Sequence, residues 1–105
     1  MPSLRLQTLI PNPDSKHKFM AMFNDGTTTK FGARGYEDYT MHKDKCRRER
    51  YLHRHGKDLS TQDPTRAGYL SMFLLWNKPT LNQSLRDYKR RLAIYNHTHR
   101  FPTQI

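Results

Sequence analysis

The segment TRAGYLSMFLLW, residues 65–76, carries the strongest apolar helical pattern in the chain. Four large side chains recur at the i, i+3, i+4 and i+7 spacing of one helix face: Tyr69, Met72, Phe73 and Trp76. Asp63-Pro64-Thr65 has the form of a helix start. We therefore expect a central, most buried helix over 65–76, with all four side chains in the core and residues 76–79 at the corner that follows.

A second amphipathic helix follows this corner. Thr80 and Gln83 have the spacing of a capping box. Apolar side chains then recur at intervals of four and three residues: Leu81, Leu85, Tyr88, Leu92 and Tyr95. Asp87 can pair with Arg91 one turn on. Residues 97–105 are predicted to form a C-terminal tail.

A mostly polar helix is predicted before the central one. Asp38 or Thr40 can cap it, it runs to about Arg54, and Gly56 stops it. Upstream, residues 18–23 and 27–31 flank Asn24-Asp25-Gly26, whose residues tolerate positive φ, and this pattern predicts a β-hairpin.

The N-terminal residues complete the predicted fold. Residues 4–10 alternate in polarity with period two, which indicates a strand, and two prolines, at 11 and 13, end it. Residues 1–15 are expected to form an extended N-terminal arm. The patterns together predict a small single α+β domain, residues 1–105, in which an N-terminal strand and a β-hairpin pack on three helices.

The composition favours an anionic partner. Lys and Arg number 19 against 9 acids, for a net charge of +10. Seven Lys or Arg and two acids lie between Lys43 and Lys57, so half of this charge sits in one short segment. The longest apolar run, residues 72–76, is far shorter than the roughly 20 residues of a membrane span. The N-terminus has no apolar stretch typical of a signal peptide, and a soluble or peripheral protein is expected.

The chain shows no strong signature of metal binding or catalysis. His53 and His55 are two residues apart, and on a helix this spacing points two side chains to different faces. Cys46 is the only cysteine, so no internal disulfide can form, and no known nucleophile motif surrounds it. We expect a semi-buried structural thiol, no cofactor, no metal, no catalytic residue and no small-molecule substrate.

Gly32 and Gly35 lie between the hairpin and the polar helix. This Gly-x-x-Gly lacks the Gly-Lys-Ser/Thr ending of a P-loop and the third glycine of the dinucleotide fingerprint. A tight turn that brings Tyr36 and Tyr39 against the core is the expected role.

The basic helix faces are the predicted partner-binding surface. Their residues are Lys43, Arg47, Arg48, Arg50, Arg54, Arg86, Lys89 and Arg90. These cations suit nucleic-acid phosphates, bound with salt-dependent affinity that does not depend on sequence. They equally suit acidic patches on protein neighbours, and the residues alone leave both alternatives open.

Three pieces of sequence carry a resemblance. They are FGARGY with DYTMHKD (31–36 and 38–44), RRERYLHRH (47–55) and LLWNKPTL (74–81). Together, over about residues 18–92, they resemble a family of small basic proteins encoded by nucleocytoplasmic large DNA viruses of algae and amoebae. The resemblance implies a viral origin and brings no catalytic residues.

By analogy with the small cementing proteins of large icosahedral capsids, the resemblance favours a structural component of a virus particle. We therefore expect a minor capsid or cement protein, not an enzyme, that bridges capsid or other virion proteins. Its expected location is the virion, and the host cytoplasm during assembly. The alternative is a virus-encoded basic protein that binds nucleic acid.

Overall fold

The computed structural model of the chain describes residues 3–105 and places helices against one face of a three-stranded antiparallel sheet. The strands, in the order β1-β2-β3, are β1 (Leu6–Pro11), β2 (His17–Phe23) and β3 (Thr28–Ala33). The helices are α1 (Tyr39–His42), α2 (Lys45–His55), α3 (Ala67–Leu70) and α4 (Leu81–Thr98). A 3-10 helix (Gly56–Thr61) follows α2, and a π-helical turn (Ser71–Leu75) continues α3. The predicted α+β class is confirmed.

The hairpin forms where the turn residues predict it. Strand β2 pairs with β3 in a register that sets Met22 opposite Thr28. The Asp25 side chain accepts a hydrogen bond from the Thr27 amide at 2.9 Å, and Gly26 has a φ of 90°. Positive φ is the conformation that glycine adopts without steric cost, so this short sequence fixes the turn.

The central helix is confirmed as the most buried element, with a change in its winding. It lies between β3 and α4, and Tyr69, Leu70 and Phe73 are fully buried. Gly32 of β3 lies against this helix and has a φ of 78°, which strains other residues. A side-chain carbon added at Gly32 would lie 2.9 Å from Cδ1 of Leu75, so the Leu75 side chain would have to shift.

The predicted polar helix is divided in two. Lys43 adopts a left-handed conformation, with a φ of 57°, and ends α1. Asp44 then caps α2 by accepting from the amides of Cys46 and Arg47. Gly56 does not stop the helix as predicted, because its backbone stays helical and the chain continues as the 3-10 helix. The helical path ends at Gln62, whose φ is 56°.

The C-terminal segment is not the tail that the sequence predicts from residue 97. Helix α4 continues to Thr98, and Phe101 then returns to the core with 2% of its surface exposed. The Phe101 ring lies 5.1 Å from the Phe73 ring and 5.4 Å from the Tyr69 ring. The Gln62 side chain pairs with both backbone polar groups of Phe101. One aromatic side chain thus anchors a segment that has no periodic pattern.

The N-terminal segment belongs to the sheet rather than to an extended arm. Leu6 is buried at the start of β1, as the predicted strand requires. Ahead of it, the Asn96 side chain on α4 accepts from the Leu4 amide at 2.9 Å and donates to the Leu4 carbonyl at 2.8 Å. The first two residues of the predicted arm, 1–15, lie outside the described residues.

The predicted start of α4 and its Asp87–Arg91 pair are both present. Thr80 Oγ1 accepts from the Gln83 amide at 3.2 Å. Asp87 Oδ2 accepts from Arg91 Nε and from Asn77 Nδ2, each at 2.7 Å. Arg91 also donates to the Pro102 carbonyl at 2.7 Å. This network fastens the corner before α4 and the C-terminal segment to the same helix.

The electrostatics of Asp87 link this network to pH. Burial of the carboxyl acts to raise its pKa, but hydrogen bonds from Arg91 and Arg90 outweigh burial and lower the pKa to about 2. A carboxyl whose pKa is depressed on folding stabilises the fold above its unfolded pKa, near 4. That contribution is lost as the pH falls from about 4 to about 2.

We therefore expect Asp87→Asn to destabilise the protein at pH 7 by about 2 kcal/mol, since each pKa unit corresponds to about 1.4 kcal/mol. The stability difference from wild type should shrink between pH 4 and pH 2. Chemical denaturation across this pH range measures it. Glu49→Gln is the control, because the Glu49 side chain is 70% exposed. A difference that is constant over the whole pH range would contradict the coupling.

Candidate functional site

Helix α2 lies on the surface of the domain. Five of its eleven residues are Lys or Arg, and none of its residues is buried. Its N-cap is well made, because hydrogen bonds from the Arg47 and Cys46 amides stabilise the Asp44 carboxylate and lower its pKa. Since α2 contributes little apolar surface to the core, a small set of contacts must hold it in place.

A column of stacked rings supplies the main contact. The Tyr51 ring lies parallel to the Trp76 ring, with centroids 4.2 Å apart and an interplanar angle of 3°. His55 extends the column beyond Tyr51 at 4.3 Å, and His42 extends it beyond Trp76 at 5.3 Å. Burial raises the pKa of Tyr51 to about 12, so its hydroxyl stays protonated at neutral pH. The aromatic column, residues 42, 51, 55 and 76, joins α1 and α2 to the central helix.

Trp76 differs from the predicted core residue. Tyr69, Met72 and Phe73 are buried as the helical spacing predicts, whereas Trp76 is only half-buried. The π-helical turn adds a residue to the winding just before Trp76, and its backbone leaves the helical region, with a φ of −120°. The half-buried indole therefore packs against the edge of the core and stacks on Tyr51 of α2.

Two of the predicted partner-binding cations form hydrogen bonds with backbone carbonyls of the protein itself. Arg48 Nε donates to the Asn77 carbonyl at 2.9 Å, and Lys43 Nζ donates to the Pro79 carbonyl at 3.0 Å. The Arg48 guanidinium also lies 5.6 Å from the centre of the Tyr39 ring. These cations satisfy the carbonyls of the corner before α4, where no helical partner is available.

The other three α2 arginines face a groove of about 590 Å³. The groove is lined by Lys18, Gly32, Ala33, Tyr36, Glu37, Asp38, Arg47, Arg50, Tyr51, Arg54, His55, Ser71, Leu75 and Trp76. Arg50 and Arg54 are exposed, and within residues 3–105 neither forms an ion pair. Arg47 lies 3.6 Å from Glu37, which is itself 57% exposed. The groove therefore presents guanidinium groups that are free to bind an anion.

One of the two groove carboxylates is already neutralised. Asp38 is 4% exposed and accepts from Lys18 Nζ at 2.8 Å. It also caps α1 through the Thr40 amide. This pair fixes the turn between β3 and α1 on the wall opposite α2, and it leaves Glu37 as the exposed acidic group in the groove.

The predicted cations of α4 lie on a separate surface. Arg86, Lys89 and Arg90 are exposed, and none of them lines the groove. Arg90 donates to Asp87 at 2.8 Å. Lys89 borders a smaller groove of about 430 Å³ between α4 and the N-terminal segment. The predicted basic surface is therefore two surfaces, and that of α2 adjoins the exposed ring of Tyr36.

The turn after the hairpin supplies a residue whose role the sequence prediction reversed. Tyr39 is buried, as expected. Tyr36 was expected to pack against the core, but its side chain is 74% exposed at the edge of the groove. Gly35, with a φ of 92°, turns the backbone just before it. No local sequence signal distinguished the exposed Tyr36 from the buried Tyr39.

The structure also places the thiol and the potential metal ligands. Cys46 is exposed, not semi-buried as predicted, because it lies in the first turn of a helix without a buried face. Over residues 3–105, no three side chains of the His, Cys, Asp and Glu types are grouped to hold a metal ion. In the same range, no helix has the length and apolar character to cross a membrane.

Comparison with known families gives a match to part of the chain. The model of a family of unknown function (DUF5754) matches residues 7–55, which is just under half of the chain. The matched segment runs from β1 to the end of α2 and includes the groove arginines and Tyr36. Searches among curated proteins and among solved structures found no match.

We expect Tyr51→Ala to release α2 locally, because it removes the stack on Trp76 and leaves Leu52 to hold this helix against the core. Amide hydrogen exchange in residues 46–55 should accelerate about ten-fold or more, in line with an aromatic pair worth about 1 kcal/mol beyond its buried area. Exchange in β2 should stay near wild type.

Tyr36→Ala is the matched control for this exchange measurement, because it removes a tyrosine that is mostly exposed. It should change exchange in neither α2 nor the sheet. Equal acceleration of α2 and β2 by Tyr51→Ala would show that the column belongs to the global core and does not act as a local anchor.

Proposed function

We propose that this protein binds nucleic acid through the groove face of α2. The observation that carries this function is the pair Arg50 and Arg54, exposed and without an ion pair in residues 3–105, beside the rings of Tyr36 and Tyr51. Arginine suits phosphate because its planar guanidinium donates two parallel hydrogen bonds. A net charge of +10 adds long-range attraction to a polyanion.

The unpaired state of these arginines favours phosphates over a permanent protein neighbour as their partner. Cations that have structural carboxylate partners are already paired, as Arg91 is with Asp87 at 2.7 Å. Arg50 and Arg54 remain hydrated and can release counterions from a polyanion on binding.

A second candidate is a structural component of a large DNA virus particle, a minor capsid or cement protein located in the virion and, during assembly, in the host cytoplasm. The observation that favours it is the outer face of the sheet. Ile10 and Met22 are 37% and 38% exposed, and Met20 pairs opposite Ile10 on the same face. An exposed apolar patch of this kind suits a capsid or other virion protein as a neighbour.

The nucleic-acid function predicts a steep salt dependence that maps to α2. Binding of a labelled oligonucleotide should weaken with salt by roughly 0.9 log units per log unit of salt for each phosphate contacted on duplex DNA, and by about 0.7 on a single strand. Replacing Arg47, Arg50 and Arg54 by Gln should make this slope shallower by the amount that corresponds to about two to three phosphate contacts. The variant should remain folded, because none of the three side chains is buried.

A charge-matched control separates α2 from the rest of the surface. Replacing Arg86, Lys89 and Arg100 by Gln removes the same charge from exposed positions outside the groove. This control variant should retain most of the salt dependence of the wild type. If both triple variants lose affinity equally, the binding reflects net charge and not the α2 site. If the wild type does not bind at low salt, nucleic acid is excluded and the virion-protein candidate remains.

A further inference from the structure

We propose that the groove takes single-stranded nucleic acid, with an unpaired base against the exposed ring of Tyr36 and phosphates on Arg50 and Arg54. This role deepens the nucleic-acid binding proposed above and rests on it. Its basis is that one concave surface is lined both by these guanidinium groups and by the Tyr36 ring, whereas the rings of Tyr51 and Trp76 in the same lining are already stacked on each other.

The exposure of Tyr36 is the first argument. A tyrosine with 74% of its surface in water contributes little to folding, and within residues 3–105 its ring packs against no other aromatic ring. The turn that presents it is fixed on the side of the sheet by Gly32 and by the Lys18–Asp38 pair. Because its backbone is fixed and its ring is free, Tyr36 can serve as a stacking platform for a base.

The shape of the site is the second argument, and it selects single strands over duplexes. The groove has the volume of a small ligand, about 590 Å³, so it can admit one nucleotide but not the width of a double helix. In a duplex the faces of the bases are covered by their neighbours, and Tyr36 could not reach them. An unpaired base exposes its face and can enter between the walls.

The spacing of the arginines is the third argument. Arg50 and Arg54 are four residues apart on α2, which separates them by about 6 Å along the helix axis and puts them on one face. This distance is on the scale of the separation between adjacent phosphates of an extended strand. The two guanidinium groups can therefore contact successive phosphates while a base between them lies in the groove.

Glu37 opposes a phosphate at the same site. Its carboxylate, 57% exposed, lies 3.6 Å from Arg47 and faces the groove. The phosphates of an entering strand are repelled by the Glu37 carboxylate and compete with it for Arg47. Glu37→Gln should consequently tighten binding of every polyanion several-fold, whereas it should leave the preference for single strands unchanged.

The test compares three probes of equal length with the full chain: an oligothymidylate, the same phosphate backbone without bases, and a duplex. Wild type should bind the oligothymidylate about ten-fold or more tightly than either of the others. Trp76 is the only tryptophan, and it lines the groove. Its fluorescence should be quenched by the oligothymidylate and not by the abasic strand.

Tyr36→Ala carries the decisive comparison. It should weaken binding of the oligothymidylate about ten-fold and leave the abasic strand and the duplex unchanged, while Tyr36→Phe, which keeps the ring, should bind like wild type. A role of Tyr36 in folding alone would lower the affinity for all three probes together.

The outcomes separate this inference from the function on which it rests. Equal affinity for the three probes, with the salt slope still dependent on the α2 arginines, would overturn single-strand selection and leave nucleic-acid binding in place. Displacement of the oligothymidylate by poly-glutamate as strongly as by unlabelled oligothymidylate would overturn it in favour of an acidic protein partner. Absence of binding to all three probes at low salt would overturn both single-strand selection and nucleic-acid binding.

Discussion

The parallel stack of Tyr51 on Trp76 is the contact on which the position of α2 depends. No residue of this helix is fully buried, and its packing against the core rests on the half-buried side chains of Tyr51 and Leu52. The stack ties it to the residue that follows the π-helical turn, and the Arg48–Asn77 hydrogen bond ties it to the next one. The groove exists because these two contacts set α2 opposite the turn that carries Tyr36.

Some cations of the chain pair with other groups of the protein, whereas others remain free to bind a partner. Lys18, Lys43, Arg48 and Arg91 all bind carboxylates or backbone carbonyls of the protein itself. Arg50 and Arg54 do not, within residues 3–105. Net charge alone does not distinguish the two groups, because pairing depends on which carbonyls the corner before α4 leaves without a partner. The free pair lies in the groove that the exposed Tyr36 ring also lines.

Local patterns predicted the elements, and long-range contacts decided the rest. The hairpin and the central helix follow from Asn24-Asp25-Gly26 and from the apolar spacing of residues 65–76, both of which act within a few residues. The return of Phe101 to the core could not be read from its neighbours, since it depends on Gln62 and Arg91 far along the chain. Likewise, the arginines of the site were predictable as a basic run. The internal use of Arg48 was not, because it depends on the distant Asn77 carbonyl, and the exposure of Tyr36 was not, because it depends on how the rest of the chain packs around its turn.

Backbone chemical-shift mapping of the full chain with an oligothymidylate tests the central claim most directly, because it locates the bound strand without any substitution. We predict perturbations concentrated in α2, in residues 32–37 and at the indole N–H of Trp76, with those of α4 around Arg86 and of the outer sheet face around Met22 near zero. Perturbations centred on α4 or spread evenly over the basic surface would contradict the assignment of the groove as the nucleic-acid interface.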